Sequence, residues 1–138
     1  MLVRAKKAEL KGKILVIDPG YLFSDNIWDQ IVLLEHKVNG YFKIKGYTFY
    51  LAETAYGDGL FPLKVEKKTI RIPVNSGLIA LIPKKTYNFM LKKNYINPYI
   101  NPNEFGYWVF CKKPLVIRYD DGDIITNQFS IITHEEVV

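Results

Sequence analysis

The chain has few of the residues from which common catalytic and metal sites are built. Its 138 residues include one cysteine, two histidines and three arginines. A single cysteine excludes an intramolecular disulfide and any zinc site that needs several cysteines. The sequence also has no GxxxxGK[ST] phosphate loop, no paired histidines at zinc-binding spacing and no serine in a nucleophile elbow. These absences favour a non-catalytic role, and the sequence indicates no catalytic residue, cofactor or metal.

Long apolar runs are also missing. A membrane-spanning helix needs about 20 apolar residues, whereas uninterrupted runs such as residues 78–82 are only as long as a strand. Residues 1–13 are basic, but the apolar region of a secretory signal does not follow them. With 49% hydrophobic and 24% charged residues, the composition is typical of a globular protein. We therefore expect one domain, residues 1–138, that is cytoplasmic and has no membrane partner.

The positive charge is concentrated at the N-terminus. The formal net charge is +5, and residues 1–13 hold five basic side chains against one acidic side chain. Lysines outnumber arginines by 16 to 3, whereas nucleic-acid-binding domains commonly use arginines that fork onto phosphate and guanine. We interpret residues 1–13 as a basic N-terminal arm, which could attract an acidic partner but is more commonly a solvated terminus.

The patterns of apolar residues predict a mainly β to α+β fold with one amphipathic helix. The continuous apolar run at residues 13–17 is typical of a central strand that is buried on both faces. Ser24 or Asp25 can cap a helix, and apolar residues then recur every three or four positions. We predict this helix at residues 25–37, ended by Asn39-Gly40.

From residue 41 onward the apolar period is close to two, which is typical of strands. Two-residue hairpin turns are predicted at Lys45-Gly46 and Asp121-Gly122. Residues 55–59 are predicted to form a loop that Pro62 ends. Residues 84–105 are predicted to be an irregular insertion, a short helix or a loop that decorates the sheet, because two Asn-Pro pairs break any helix begun at residues 87–93. Further strands are predicted at residues 69–74, 78–82, 107–111, 115–119, 124–127 and 129–133. About eight strands and one helix indicate a curled, barrel-like antiparallel or mixed sheet.

Two groups of reactive side chains have simple structural explanations. Cys111 lies in a strand-like run, where a small buried thiol is the common arrangement. The Asp-Asp-Gly-Asp segment at residues 120–123 could hold a hard cation through its carboxylates, but no further ligands follow it at fixed offsets. We therefore interpret this segment as a hairpin tip.

Two turn segments are candidates for a ligand site. Ile-Asp-Pro-Gly-Tyr at residues 17–21 and Tyr-Gly-Asp-Gly at residues 56–59 each follow a predicted strand. Asp18 can close an Asx turn, and glycines on both sides of Asp58 permit positive φ, so that backbone amides could converge on an anion. The alternative is that both segments are compact turns without a ligand. The candidate ligand-binding residues are Asp18, Gly20, Tyr21, Tyr56, Gly57, Asp58, Gly59 and Asn75.

A short internal similarity relates two of the turns. Val-Ile-Asp-Pro-Gly at residues 16–20 parallels Pro-Val-Asn-Ser-Gly at residues 73–77. Each segment contains an Asp or Asn followed two residues later by glycine. We expect these two corners to face each other across the sheet.

The motifs together resemble a family of small phage- and bacterium-encoded proteins without an established biochemical activity. The resemblance rests on Asp-Pro-Gly-Tyr at residues 18–21, Trp28, Thr-Ala-Tyr-Gly-Asp-Gly at residues 54–59 and Val-Asn-Ser-Gly-Leu-Ile at residues 74–79. It covers residues 14–83. This chain departs from the family pattern at Ile17, Gly20 and Asn75, where the family has Gly, Cys and Asp. The resemblance implies a phage or prophage origin.

A phage origin favours a binding function in the host cytoplasm. The leading hypothesis is a protein that antagonises a bacterial defence system by binding a host protein or a small nucleotide-like ligand. A competing hypothesis is a metal-assisted hydrolase that uses Asp18 and Asp58. Two further hypotheses are a nucleic-acid-binding protein that uses the lysines and tyrosines of residues 84–99, and a virion accessory protein that assembles as a homo-oligomer.

Overall fold

The fold consists of eleven strands and four helices in the part of the chain that the computed structural model describes, residues 1–34 and 38–134. The strands are β1 (Leu2–Ala5), β2 (Gly12–Ile17), β3 (Asn39–Ile44), β4 (Tyr47–Glu53), β5 (Gly59–Val65), β6 (Lys68–Val74), β7 (Leu78–Pro83), β8 (Gly106–Cys111), β9 (Ile117–Asp120), β10 (Asp123–Thr126) and β11 (Ser130–Ile131). The helices are α1 (Pro19–Leu22), α2 (Asp25–Val32), α3 (Lys84–Lys92) and α4 (Pro102–Phe105).

The strands form two antiparallel sheets. The six-stranded sheet has the order β1-β3-β4-β7-β2-β8, and the five-stranded sheet has the order β6-β5-β11-β10-β9. The prediction of a mainly β fold is confirmed, but the sheets are not closed into a barrel. No helix among the described residues is long and apolar enough to span a membrane.

The central strands β2 and β7 of the six-stranded sheet are buried on both faces, which explains their continuous apolar runs. Along β2, Ile14 and Val16 point into the core between the sheets, whereas Leu15 and Ile17 point toward the helices. The helical residues that cover this second face are Leu22, Ile27, Ile31 and Met90. The molecule therefore has three layers: helices, the six-stranded sheet and the five-stranded sheet.

Both predicted two-residue turns are confirmed. Lys45 and Gly46 have φ of 48° and 85°, and Asp121 and Gly122 have φ of 48° and 105°. Two consecutive positive φ angles are typical of the type I′ turn, which matches the right-handed twist of paired strands. The aspartate-rich segment at residues 120–123 is thus the tip of the β9–β10 hairpin.

The structure differs from the predicted helix boundaries. Helix α2 ends at Val32, and residues 35–37 of the predicted helix lie outside the described residues. Asn39 and Gly40 do not end a helix; they begin β3 and pair with β4. Ser24 occupies the N-cap position, but its buried hydroxyl makes no capping hydrogen bond.

Three segments contain more regular structure than the sequence predicts. Within the predicted basic arm, β1 forms an edge strand that pairs with β3. Pro62 does not end a loop; it lies inside β5, where its carbonyl accepts a hydrogen bond from the amide of Ile132 at 3.4 Å. The insertion at residues 84–105 contains α3 and α4 and is irregular only between them, so of the two predicted alternatives the short helix is the one observed.

The β9–β10 hairpin packs directly against the end of β4, and Gly122 is the contact. A Cβ atom at Gly122 would lie 2.4 Å from the backbone nitrogen of Ala55, whereas a Cβ atom at Gly46 would meet nothing within 4 Å. Both glycines occupy the second position of a type I′ turn. They therefore form a matched pair in which only Gly122 combines positive φ with a steric restriction.

We expect Gly122→Ala to destabilise the protein more than Gly46→Ala. Each alanine introduces left-handed strain of about 1 kcal/mol, and Gly122→Ala must also displace the Ala55 backbone, at a further cost of about 1–3 kcal/mol. Urea unfolding of both variants measures the difference. Equal losses of unfolding free energy would contradict the close packing of the hairpin on Ala55.

Candidate functional site

A buried carboxylate joins two of the turns that the sequence singles out. Asp18 follows β2, caps α1 and is 0% exposed. Its Oδ1 accepts hydrogen bonds from the amide of Gly20 at 2.7 Å and from the hydroxyl of Ser76 at 2.5 Å. Its Oδ2 accepts from the amides of Asn75 at 2.6 Å and Ser76 at 2.9 Å. The predicted Asx turn is confirmed, and so is the expectation that the corners at residues 16–20 and 73–77 face each other.

The four hydrogen-bond donors explain how the Asp18 carboxylate can be buried away from water at the end of β2. Burying an unpaired carboxylate is costly, whereas charge-assisted hydrogen bonds offset that cost. Because these bonds occupy both oxygens, the Asp18 carboxylate holds the two turns together and is not directed at solvent. We call this set of contacts the Asp18 clamp.

The loop at residues 54–58 is attached to the same corner. The Thr54 amide donates to the carbonyl of Gly77 at 3.0 Å, and the Thr54 hydroxyl donates to the carbonyl of Gly57 at 2.5 Å. Gly57 and Gly77 have φ of 83° and 80°. A Cβ atom at Gly77 would lie 3.6 Å from Gly57 Cα, so the two backbones run close together. The motif at residues 54–59 therefore lies beside the turns at residues 16–20 and 73–77.

Antiparallel pairing explains why the three motifs converge. The end of β4 pairs with the start of β7 through Glu53 and Leu78. The end of β2 pairs with β7 near the same position, through Ile17 and Ala80. All three turns consequently leave the six-stranded sheet at one end of β7.

Two adjoining depressions lie at this end of the sheet and share Trp28 and Ser76. The smaller, of about 270 Å³, is lined by Asp18, Gly20, Tyr21, Trp28, Asn75 and Ser76. The larger, of about 420 Å³, is lined by Trp28, Ile31, Val32, Leu34, Val38, Glu53, Thr54, Gly57, Ser76, Gly77 and Leu78. We call the two together the Trp28 groove. One side of the groove is apolar, and the other consists of hydroxyl, carboxylate and backbone groups.

Five of the eight candidate residues line the Trp28 groove: Asp18, Gly20, Tyr21, Gly57 and Asn75. The Asn75 side chain is exposed, and the Tyr21 ring stacks on Phe105 with centroids 4.5 Å apart. Gly20 fits tightly, since a Cβ atom there would lie 3.1 Å from both Asp18 Oδ1 and Ser76 Cβ.

The other three candidates, Tyr56, Asp58 and Gly59, do not line the groove. The Tyr56 side chain is 70% exposed and meets His134 edge to face with centroids 5.5 Å apart, and Asp58 is exposed. Gly59 begins β5, opposite Val74, and is not among the residues with positive φ. The predicted nest between two left-handed glycines is therefore wrong, because strand pairing holds the second glycine extended.

The prediction missed several groove residues. The sequence places Trp28 in the apolar pattern of the helix and in the family resemblance, and Thr54 and Ser76 only in motifs, so none of the three is among the candidate ligand-binding residues. A signal was present, because Trp28 and Val32 are four residues apart and lie on one face of α2. The apolar spacing of this helix was interpreted only as a core face, whereas part of it forms a wall of the groove.

Thr133, which follows β11, connects the loop at residues 54–58 to the β9–β10 hairpin. The buried Thr133 hydroxyl accepts from the amide of Ala55 at 2.8 Å and donates to the carbonyl of Gly122 at 2.7 Å. Asp123 Oδ1 accepts from the amide of Thr133 at 2.7 Å and lies 3.0 Å from His134 Nδ1.

In residues 1–34 and 38–134, no three His, Cys, Asp or Glu side chains converge as metal ligands would.

The surroundings of Cys111 explain why it is not a reactive nucleophile. Cys111 is 1% exposed and packs in the core between the sheets. Burial raises the pKa of its thiol to about 11, so the thiol is protonated near neutral pH. The interpretation of Cys111 as a buried structural thiol is confirmed.

We expect Asp18→Asn to lower the free energy of unfolding by about 3 kcal/mol. An amide nitrogen would replace one acceptor oxygen and face backbone donors, which would leave buried groups unsatisfied. Asp58→Asn is the matched control and should change stability by less than about 0.5 kcal/mol, because Asp58 is exposed. Chemical denaturation measures both changes. Equal stability of the two variants would contradict the clamp.

The His134 imidazole should titrate above 6.5. The hydrogen bond to Asp123 is the main cause that raises the pKa of this exposed side chain. A raised pKa in the folded state means that the contact is fully present at low pH and weakens as pH rises through that pKa. An NMR titration of the ring protons measures it. Asp123→Asn should lower the value, and a wild-type value at or below 6.5 would contradict the contact.

Comparison with known proteins identifies no relative of this chain. No family model, no curated protein and no solved structure matches the chain.

Proposed function

We propose that the protein is a non-catalytic binding protein whose Trp28 groove takes a small, planar, nucleotide-like ligand. The observation that carries this proposal is the position of Trp28, a partly exposed aromatic ring that two adjoining depressions share. Small-molecule sites typically combine an aromatic or apolar wall with a few fixed polar groups, and the Trp28 groove has this composition.

The chemistry of the groove is complementary to the base and hydroxyl groups of a nucleotide. The indole of Trp28 and the apolar side chains of Val32 and Leu78 offer a surface for a planar base. The Asn75 side chain offers donors and an acceptor to the ligand, and the Thr54 hydroxyl, whose proton is donated to Gly57, can accept from a ligand hydroxyl. A ligand lying along the groove would contact both kinds of surface at once.

The state of Asp18 supports binding over hydrolysis. A general acid or base must reach the reacting group with a free lone pair or proton. The Asp18 carboxylate is fully buried and already accepts four hydrogen bonds, and Asp58 is exposed outside the groove. The two carboxylates of the hydrolase hypothesis therefore do not act on one cavity in this arrangement.

We extend the proposal to the biological role that the family resemblance suggests. A phage protein that binds a nucleotide messenger of host immunity without turning it over would antagonise a bacterial defence system by sequestration. The resemblance at residues 14–83 supports the phage origin, and the groove supports a small ligand as the target over a host protein.

Trp28 fluorescence tests the ligand class. Trp108→Phe leaves Trp28 as the sole tryptophan and keeps an aromatic ring against Tyr87, whose centroid lies 5.3 Å from that of Trp108. We expect nucleoside monophosphates or cyclic dinucleotides to quench Trp28 saturably, with one ligand per chain. Native mass spectrometry of gently purified protein should detect any nucleotide retained from the expressing cells. A flat fluorescence signal with every nucleotide, together with an unliganded mass, would refute the proposal.

A matched pair of substitutions locates the ligand. Val32 is 58% exposed and lines the groove, whereas the neighbouring Leu33 is 75% exposed and lines a depression near the N-terminus. We expect Val32→Asp to weaken nucleotide binding at least about tenfold, because a carboxylate there repels phosphate and hydrates the apolar wall. Leu33→Asp adds the same charge at the same helix end and should leave affinity unchanged. Equal effects of the two variants would contradict binding in the groove.

A further inference from the structure

A second concave surface lies at the opposite end of the central strands. It consists of two adjoining depressions, each of about 450 Å³, that share Tyr47 and Lys85. Tyr47 begins β4 and Pro83 ends β7, so this surface lies one strand length, about 20 Å, from the Trp28 groove. We call it the Tyr47 surface.

The Tyr47 surface is basic. Its lining includes five lysines and one glutamate, the lysines being Lys11, Lys45, Lys85, Lys92 and Lys93. The formal charge of the lining is therefore +4. Glu9 pairs with Lys11 at 3.3 Å, and the other four lysines form no ion pair with any described residue. Three separate parts of the chain therefore bring lysines to one concave face, where they repel one another unless an anion is bound.

Aromatic rings lie among these lysines. Tyr47 and Phe89 stack almost parallel, with centroids 3.9 Å apart and an interplanar angle of 7°. Tyr95, which does not line either depression, meets Phe89 edge to face with centroids 6.2 Å apart. All three rings are only partly buried. Sites for single-stranded nucleic acid combine a positively charged groove with rings on which bases stack.

We propose that the Tyr47 surface binds the backbone of single-stranded nucleic acid without sequence preference. Lysine ammonium groups act as point charges toward phosphate, whereas base-specific recognition commonly depends on arginine forks, and arginine is absent from the lining. The concave form of the surface suits a flexible strand, because a duplex is read by elements that project into its grooves. This surface is independent of the Trp28 groove, so either proposal can fail without the other.

The test is the salt dependence of binding to a labelled deoxythymidine oligonucleotide of about 20 nucleotides, measured by fluorescence anisotropy. Each lysine–phosphate contact contributes about 0.7 to the slope of log affinity against log salt for single strands. The double variant Lys85→Gln with Lys92→Gln should lower that slope by about 1.4 and weaken binding at low salt. Both side chains are exposed, so circular dichroism and thermal unfolding should match those of the wild type.

The matched control is Lys64→Gln with Lys67→Gln, which removes the same charge from exposed positions at the β5–β6 hairpin of the other sheet. It should leave the slope unchanged. An equal slope change in the control would overturn the proposal, because the effect would then reflect net charge alone. Tighter binding of a duplex, or equal competition by inorganic polyphosphate, would also overturn it. Binding to vesicles of anionic lipid without binding to the oligonucleotide would assign the surface to a membrane and reject nucleic acid.

Discussion

The hydrogen bonds to the Asp18 carboxylate are the interaction on which the arrangement of the turns around the Trp28 groove depends. A charge that is completely removed from water is tolerated only where donors surround it, and three residues, Gly20, Asn75 and Ser76, supply four. These donors come from two turns far apart in sequence, so the carboxylate fixes the position of one turn against the other. Gly77 then holds the loop that contains Gly57, and the walls of the Trp28 groove follow from these two attachments.

The antiparallel order of β4, β7 and β2 separates two chemistries at opposite ends of the same strands. At the start of β7, tight turns bring backbone groups, small hydroxyl side chains and Trp28 together. At its end, the β3–β4 turn and α3 bring lysines around Tyr47 and Phe89. A short strand thus spaces two candidate sites by about 20 Å within a small protein. The same rigid sheet supports both, so a ligand at one end need not disturb the other.

The sequence was sufficient where a feature depends on neighbouring residues. The type I′ turns, the central apolar strands and the Asx turn at Asp18 were all predictable, since each is determined by a few adjacent side chains. The division into two sheets was not, because it depends on distant pairing such as that of Lys64 with Ser130. The orientation of Tyr56 was equally inaccessible, since Thr133 holds the adjoining Ala55 from the far end of the chain.

Two residues, Asn75 and Gly20, affect the Asp18 clamp and the groove differently. Asn75 contributes only its backbone amide to the clamp, so exchange of aspartate for asparagine leaves those hydrogen bonds intact. Its exposed side chain lines the groove, where a carboxylate would repel phosphate and an amide can donate to it. A cysteine at Gly20, by contrast, would place Cβ 3.1 Å from both Asp18 and Ser76, so those neighbours would have to shift. The glycine therefore permits a tight clamp, and the asparagine presents a neutral amide to the groove.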